Sequence, residues 1–218
     1  MNILVLNGSP RPQGTTAQMV TAFADGAREK GHHVAIEVIC QRKITGCLAC
    51  EYCHTKGNRH CIQNDDMQEI YPLLNEAEML ILASPIYYHG FSGQLQCAVN
   101  RIYALDKPKK LKKAALFLSS GDEDVYDGAL YEYRKSFLEY LELQNAGVFK
   151  ISEKMCQDNP NCLPELLQKL RTFGQSLQEH GGVTQNDTQI LFQTAGSDTD
   201  RRCIEQLWQF FPREHNCS

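Results

Sequence analysis

The sequence predicts an α/β protein built on a doubly wound, five-stranded parallel sheet with helices on both faces and a C-terminal extension. Three observations lead there. Short, wholly apolar runs alternate with segments of helical period, the pattern of strands covered on both faces by crossover helices. The runs end in Gly, Ser, Pro and Asn, residues that stop strands and begin loops. The 218 residues suffice for one generous domain carrying an appendage.

The first strand is Ile3 to Leu6, stopped by Asn7-Gly8-Ser9-Pro10. A helix follows, capped by Thr15 or Thr16, with Val20, Phe23, Ala24 and Ala27 at helical spacing and Gly31 as its stop. His33 to Ile39 reads as strand two. After a cysteine-rich loop, Asp65 or Asp66 caps a helix with Met67, Ile70, Leu73 and Leu74 on one side, leading into strand three at Met79 to Ala83. Strand four is Ala114 to Leu118, followed by Ser119-Ser120-Gly121. A helix near Leu130 to Leu143 precedes a weaker strand at Val148 to Ile151. Leu163 to Leu177 is the last helix of a domain expected to span residues 1–178. Residues 179–218 form the extension, with a helix at Arg201 to Phe211 carrying Trp208, the sole tryptophan.

Right-handed crossovers in such a sheet bring the loops after strands one, three and four together where the strand order reverses. The rare residues sit in those loops. A formal charge of −4 and a pI near 6.0 provide no basic field for nucleic acid or anionic lipid. Met1 to Asn7 has no cationic leader, and no run reaches the roughly 18 apolar residues of a membrane span. A cytoplasmic protein without nucleic acid or membrane partners is expected. Ten cysteines in that setting argue against a disulfide scaffold. Six of them (Cys40, Cys97, Cys156, Cys162, Cys203, Cys217) are scattered and read as small buried hydrophobes.

The loop Gly8-Ser9-Pro10-Arg11-Pro12-Gln13-Gly14-Thr15-Thr16 joins a buried strand to a helix N-terminus, where free N–H groups and the helix dipole favour an anion. Ser9, Thr15 and Thr16 can donate to a phosphate, Arg11 can pair with it, and Gly14 permits a tight turn. The loop is neither a Walker loop nor a Gly-x-Gly-x-x-Gly dinucleotide loop. An ordinary turn with a capping threonine is the alternative.

Gly8-Ser9-Pro10-Arg11 with Gly14-Thr15-Thr16, the helix start Asp65-Asp66-Met67, and Ser84-Pro85-Ile86-Tyr87-Tyr88 followed by Asn100-Arg101 together resemble the flavodoxin-like NADPH-dependent FMN reductases, and within them the iron–sulfur flavoproteins. The family usually has asparagine where Thr15 stands and aspartate where Asn100 stands. The resemblance implies that Ser9, Arg11, Thr15 and Thr16 hold the FMN phosphate. It places Pro85, Ile86, Tyr87 and Tyr88 along the isoalloxazine edge, and Ser119, Ser120 and Gly121 beside the ring. Core or interface packing is the plain alternative for the two tyrosines, and a solvated loop histidine the one for His89. The resemblance further implies NAD(P)H as electron donor, a small-molecule or protein acceptor, and a homodimer or homotetramer.

Cys47-x2-Cys50-x2-Cys53-x7-Cys61 puts four thiols on one compact loop, the number that a cubane cluster needs. The spacing resembles the cluster motif of the iron–sulfur flavoproteins, which makes [4Fe–4S] the leading reading. A zinc site sharing His54 and His60, and unmetallated thiols, remain open beside it. The expected function is an FMN-dependent oxidoreductase that passes electrons from NAD(P)H to a quinone, flavin, redox protein or oxygen species. The cofactor supplies the hard chemistry, so no acid or base residue is assigned. A flavodoxin-like electron carrier without its own nicotinamide site, and a thiol- or zinc-binding regulatory module, are the competing readings.

Overall fold

The computed structural model describes residues 1–178; the C-terminal extension, including the expected helix at Arg201 to Phe211, lies outside the described residues. Five parallel strands form one sheet in the order β2-β1-β3-β4-β5. They are β1 (Asn2–Asn7), β2 (His33–Val38), β3 (Met79–Pro85), β4 (Lys113–Ser120) and β5 (Gln144–Ser152). This is the flavodoxin-like order, with the reversal between β1 and β3. The central strands β1, β3 and β4 are almost wholly buried, which is why they read as unbroken apolar runs.

On one face lie α1 (Thr15–Glu29) and α7 (Cys162–Ser176). Phe23 of α1 packs edge-on against Phe117 of β4 at 5.5 Å between ring centres, and Phe173 of α7 meets both Phe23 and Phe149. The two helices approach closely because glycines face the contact. A Cβ on Gly26 would collide with the Arg171 carbonyl, and one on Gly174 would lie 2.6 Å from the Ala27 nitrogen. The other face is covered by α3 (Met67–Glu76), α4 (Gly93–Ile102) and α5 (Asp127–Glu132), whose Ile70, Leu74, Leu95, Ala98 and Ala129 close over Leu4, Leu6, Leu80, Leu82 and Leu116.

Several elements differ from the sequence expectation. Thr15 and Thr16 are inside the first turn of α1; the cap position is Gly14, and no side chain caps the helix. Asp66 occupies the cap position of α3, but its carboxylate accepts the Lys43 N–H instead (2.7 Å), while Asp65 accepts the Met67 N–H (3.2 Å). The helix expected to reach Leu143 begins at Asp127, continues from Tyr133 to Tyr140 in π-helical turns, and stops there. Short helices α2 (Tyr52–Thr55) and α6 (Glu153–Asp158) were not expected.

Candidate functional site

At the carboxyl ends of the strands lies a cleft of about 480 Å³, within the range of small-molecule sites. Ser9, Arg11, Gly14, Thr15 and Thr16 line it from the β1–α1 loop, Pro85, Ile86 and Tyr87 from the end of β3, and Ser119, Ser120 and Gly121 from the end of β4. The three loops converge as a parallel sheet requires. The floor is stitched across the sheet: Thr16 Oγ1 and Ser119 Oγ share a hydrogen bond of 2.7 Å, both residues being buried, and the Ile86 N–H donates to the Ser119 carbonyl at 2.8 Å.

The β1–α1 loop ends at a helix N-terminus of the kind that can receive an anion. With glycine at the cap position and no acidic residue in the first turn, the opening N–H groups of α1 meet no side-chain cap among the described residues. Gly14 is needed because its N–H returns to the Arg11 carbonyl (3.1 Å) and a Cβ there would sit 2.9 Å from the Arg11 Cβ. Ser9 is buried, and its Oγ accepts the Arg11 N–H (3.3 Å). The Arg11 guanidinium is exposed and makes no ion pair among the described residues.

Tyr88 is placed differently. The Tyr87 N–H donates to Gly90 O (3.1 Å) and the Gly90 N–H to Tyr87 O (3.0 Å), so Tyr88 and His89 are the central residues of a tight turn. Both have positive φ (49° and 65°), the mark of a type I′ turn, and the turn tip carries the Tyr88 ring out to full exposure, away from the cleft lining. The turn is anchored where the Ala129 N–H donates to the His89 carbonyl at 2.9 Å. Beside the β4 loop, Ser120 Oγ bonds the Asp122 carbonyl (2.5 Å) and the Tyr126 hydroxyl (2.6 Å), while burial pushes the Tyr126 phenol up to about 12.

A fourth wall was missed from the sequence. Ile151, Ser152, Glu153, Cys156, Gln157 and Leu163, from the end of β5, α6 and the start of α7, complete the lining. Ser152 starts α6 by accepting the Met155 N–H (3.0 Å). The usable signal was topological: a fifth parallel strand delivers its following loop to the same end of the sheet.

The cysteine loop forms a second, separate place. Cys47, Cys50, Cys53 and Cys61 line one hollow with Glu51, Arg101 and Tyr103, sharing no lining residue with the cleft. Ala49, Glu51, Asn58 and Arg59 all take positive φ, winding the segment tightly; Cys53 is buried, Cys61 partly so, and Cys47 and Cys50 are exposed. Burial, ahead of the charges of Cys61 and Glu51, pushes the Cys53 thiol up. The hollow encloses about 10 Å³, a water-sized space, and among the described residues no three Cys, His, Asp or Glu groups converge on one ion position. His54 has both ring nitrogens engaged, Nε2 with the Tyr103 carbonyl (2.8 Å) and Nδ1 with Arg59 Nη1 (2.8 Å), leaving no lone pair for zinc. His60 Nδ1 lies 3.1 Å from the Asn58 carbonyl.

Arg101, at 1 % exposure the largest fully buried side chain among the described residues, lies beside that hollow. Its guanidinium grips Asp65 and donates to the Thr45 carbonyl (3.0 Å), while its Nε is buried without a hydrogen-bond partner. Arg101, part of the Asn100-Arg101 signature, thus lies beside the cysteine segment and outside the lining of the cleft.

Comparison with known proteins agrees with this architecture. An iron–sulfur flavoprotein of Methanocaldococcus jannaschii is 36 % identical over 114 residues, covering 51 % of this chain and 57 % of that one. One from Archaeoglobus fulgidus is 34 % identical over 102 residues, covering 47 % and 46 %. The chain thus spans about half the length of the curated relatives it matches. Among solved structures, the NAD(P)H:quinone oxidoreductase from Methanothermobacter marburgensis superposes with a TM-score of 0.62 at 17 % identity, over 83 % of this chain and 98 % of that one, which is a likeness of fold. The family profile described as NADPH-dependent FMN reductase matches residues 1–154, taking in all five strands and the three loops that converge on the cleft. With most of its length inside that match, the chain belongs to the NADPH-dependent FMN reductase family.

Proposed function

We propose that the cleft binds FMN and that the protein is an NAD(P)H-dependent, FMN-containing reductase. The observation that carries this reading is the set of three loops converging on one cleft, with a helix N-terminus and an exposed arginine at one end that have no side-chain cap and no ion pair among the described residues. The phosphate would lie against Ser9, Arg11, Thr15 and Thr16. Pro85, Ile86 and Tyr87 would follow the ring edge from one side and Ser119, Ser120 and Gly121 from the other. The chemistry supplied by a bound FMN would be acceptance of hydride from a nicotinamide and delivery of electrons to an acceptor. The chain's own residues fix the phosphate, orient the ring and exclude water from the cleft floor. The acceptor is a quinone, a flavin, an oxygen species or a redox protein.

The cysteine hollow would hold a [4Fe–4S] cluster. Its donor set fits in number and type, and a cubane binds each thiolate to a different iron, so the sulfurs need not converge on one point. Holding one would require the segment, exposed at Cys47, Leu48 and Cys50, to widen beyond its water-sized space. A homodimer or homotetramer is the expected assembly, with exposed Tyr87, Tyr88 and Tyr131 the kind of aromatic surface that a partner subunit covers. No helix among the described residues is long and apolar enough to cross a membrane.

The test is anaerobic titration of apoprotein with FMN, followed by mixing with NADH or NADPH. Tight binding and rapid bleaching are expected, and Arg11→Ala combined with Thr16→Ala should weaken FMN binding by at least tenfold, charge-assisted phosphate contacts contributing about 1.5–3 kcal/mol each. Binding without bleaching by either nicotinamide would favour a simple electron carrier. Unchanged affinity in the double variant would remove the loop from the phosphate site.

A further inference from the structure

One donor at the cysteine hollow is unanswered. Arg101 lines the hollow and is buried, and its Nε has no hydrogen-bond partner among the described residues. The rest of the guanidinium is held. Nη1 donates to Asp65 Oδ2 (2.7 Å) and to the Thr45 carbonyl (3.0 Å), and Nη2 donates to Asp65 Oδ1 (3.1 Å). This two-pronged grip fixes the guanidinium plane, so Nε is not free to turn towards another acceptor. A buried N–H has given up its water without recompense, which makes such a group rare and calls for a partner.

The same residues frame the cysteine segment. The Thr45 N–H donates to Asp65 Oδ2 (3.2 Å), Gln63 Nε2 to the Gly46 carbonyl (3.1 Å), and Gln68 Nε2 to the Cys61 carbonyl (3.1 Å). Both ends of the segment are thus tied to the start of α3, while its middle, exposed at Cys47, Leu48 and Cys50, is the part with room to widen. Through Thr45 and Asp65, Arg101 belongs to the fixed part. Of the charged side chains lining the hollow, Arg101 is the cation and Glu51 the anion, the latter already accepting the Tyr103 hydroxyl (3.0 Å). A cubane held by four thiolates is electron-rich, its sulfurs accept hydrogen bonds, and those bonds help to set its reduction potential.

We propose that Arg101 is a positioning residue for the group that the four cysteines hold: its Nε–H donates to a sulfur there, and its charge favours the more negative, reduced form. This rests on the reading of the hollow as a [4Fe–4S] site. The role explains why the position carries arginine. A guanidinium can hold Asp65 with one edge and present a further N–H from another, which the point charge of a lysine cannot do.

The experiment uses the full chain, reconstituted without oxygen with FMN, ferrous iron and sulfide, and then reduced. In protein grown on arginine labelled with heavy nitrogen, pulsed electron paramagnetic resonance of the reduced group should show a coupling to the labelled nitrogen. Arg59→Lys, which removes the arginine paired with Asp106 in the cysteine segment, should keep that coupling. Arg101→Lys keeps a cation opposite Asp65 but has no Nε–H. It should retain iron, lose the coupling, and show a ratio of reduced to oxidised group about tenfold lower at the same applied potential, as the loss of one charge-assisted hydrogen bond implies. A role confined to the Asp65 pair would lower stability and move neither readout. Iron-loaded wild-type protein without the coupling overturns the proposal and leaves the cluster reading standing, and this measurement holds whether or not the variant folds. An unchanged coupling and potential in Arg101→Lys overturn it as well. Negligible iron in the reconstituted wild type fails the cluster reading itself, and the proposal with it.

Discussion

Arg101 and Asp65 face each other in a two-pronged ion pair, Nη1 to Oδ2 at 2.7 Å and Nη2 to Oδ1 at 3.1 Å, that ties the last turn of α4 to the start of α3 beneath the cysteine segment. Tyr71 extends it by donating its hydroxyl to the Arg101 carbonyl at 3.2 Å. Truncating one partner of a buried pair leaves the other charge uncompensated, which costs about 3–5 kcal/mol. Arg101→Gln should therefore lower stability by about that much in a urea titration, and a loss below about 1 kcal/mol would show the pair to be dispensable.

The same pair sets an acid limit. Burial works against the Asp65 charge, but the hydrogen bonds from Arg101 and from the Thr45 and Met67 N–H groups prevail and hold its carboxyl below the usual aspartate value. A carboxyl depressed in the folded state contributes stability that is present above its unfolded pKa and lost as pH falls through the folded one. Unfolding midpoints measured from neutral pH down to about pH 3 should show a wild-type decline that is shallower in Asp65→Asn, whose stability is already lower at neutral pH.

The glycine contact between α1 and α7 has no room to spare. Gly174→Ala raises intrinsic helix propensity yet drives a methyl into the Phe23 carbonyl and Ala27 nitrogen of α1. Overpacking of that kind costs about 1–3 kcal/mol, more than the gain of roughly 1 kcal/mol from replacing a helical glycine. A thermal melt should show net loss; a rise in the midpoint would mean that the helices separate freely.

Tyr88 should be indifferent to folding, because its ring is fully exposed and touches no core. Its φ of 49° strains a tyrosine and suits glycine, so Tyr88→Gly should hold or raise stability by up to about 1 kcal/mol. The flavin spectrum of Tyr88→Ala then becomes a clean report on ring contact. A melting temperature that collapses in either variant would assign the side chain a structural role instead.

Protein purified without oxygen should carry iron and sulfide, and Cys50→Ser should lose iron while retaining FMN, since hollow and cleft share no lining residue. Stoichiometric FMN with negligible iron after reconstitution would leave the four thiols as structural groups.

The sheet was legible because strands buried on both faces leave an apolar run that no other element imitates, and the three site loops followed from parallel topology. What the sequence concealed was polar by construction. In α4 the buried positions are Leu95, Ala98, Arg101 and Ile102, a helical period interrupted by the arginine that reaches Asp65. In α6 no residue is buried, so there is no period to detect, and Cys156 passed for a core hydrophobe. Thr15 and Thr16 looked like caps because a hydroxyl near a helix start usually is one; Gly14 took that place and left both threonines to the cleft. Tyr88 looked like a cleft residue until two positive φ angles turned it outward.

Ser92 has a consequence for how the cleft grips. Its hydroxyl donates to the Gly8 carbonyl (2.8 Å) and its N–H donates to Ser84 Oγ (2.9 Å), while Ser84 in turn donates to the Pro85 carbonyl (2.7 Å). The contact is so close that a Cβ on Gly8 would sit 2.5 Å from Ser92 Oγ. The loop at one end of the cleft and the loop along its side are therefore tied to each other through Ser92. A ligand touching both would meet loops already held together, so their freedom would be lost when the chain folds and not when the ligand arrives. Loosening that single serine would slacken both ends of the grip together.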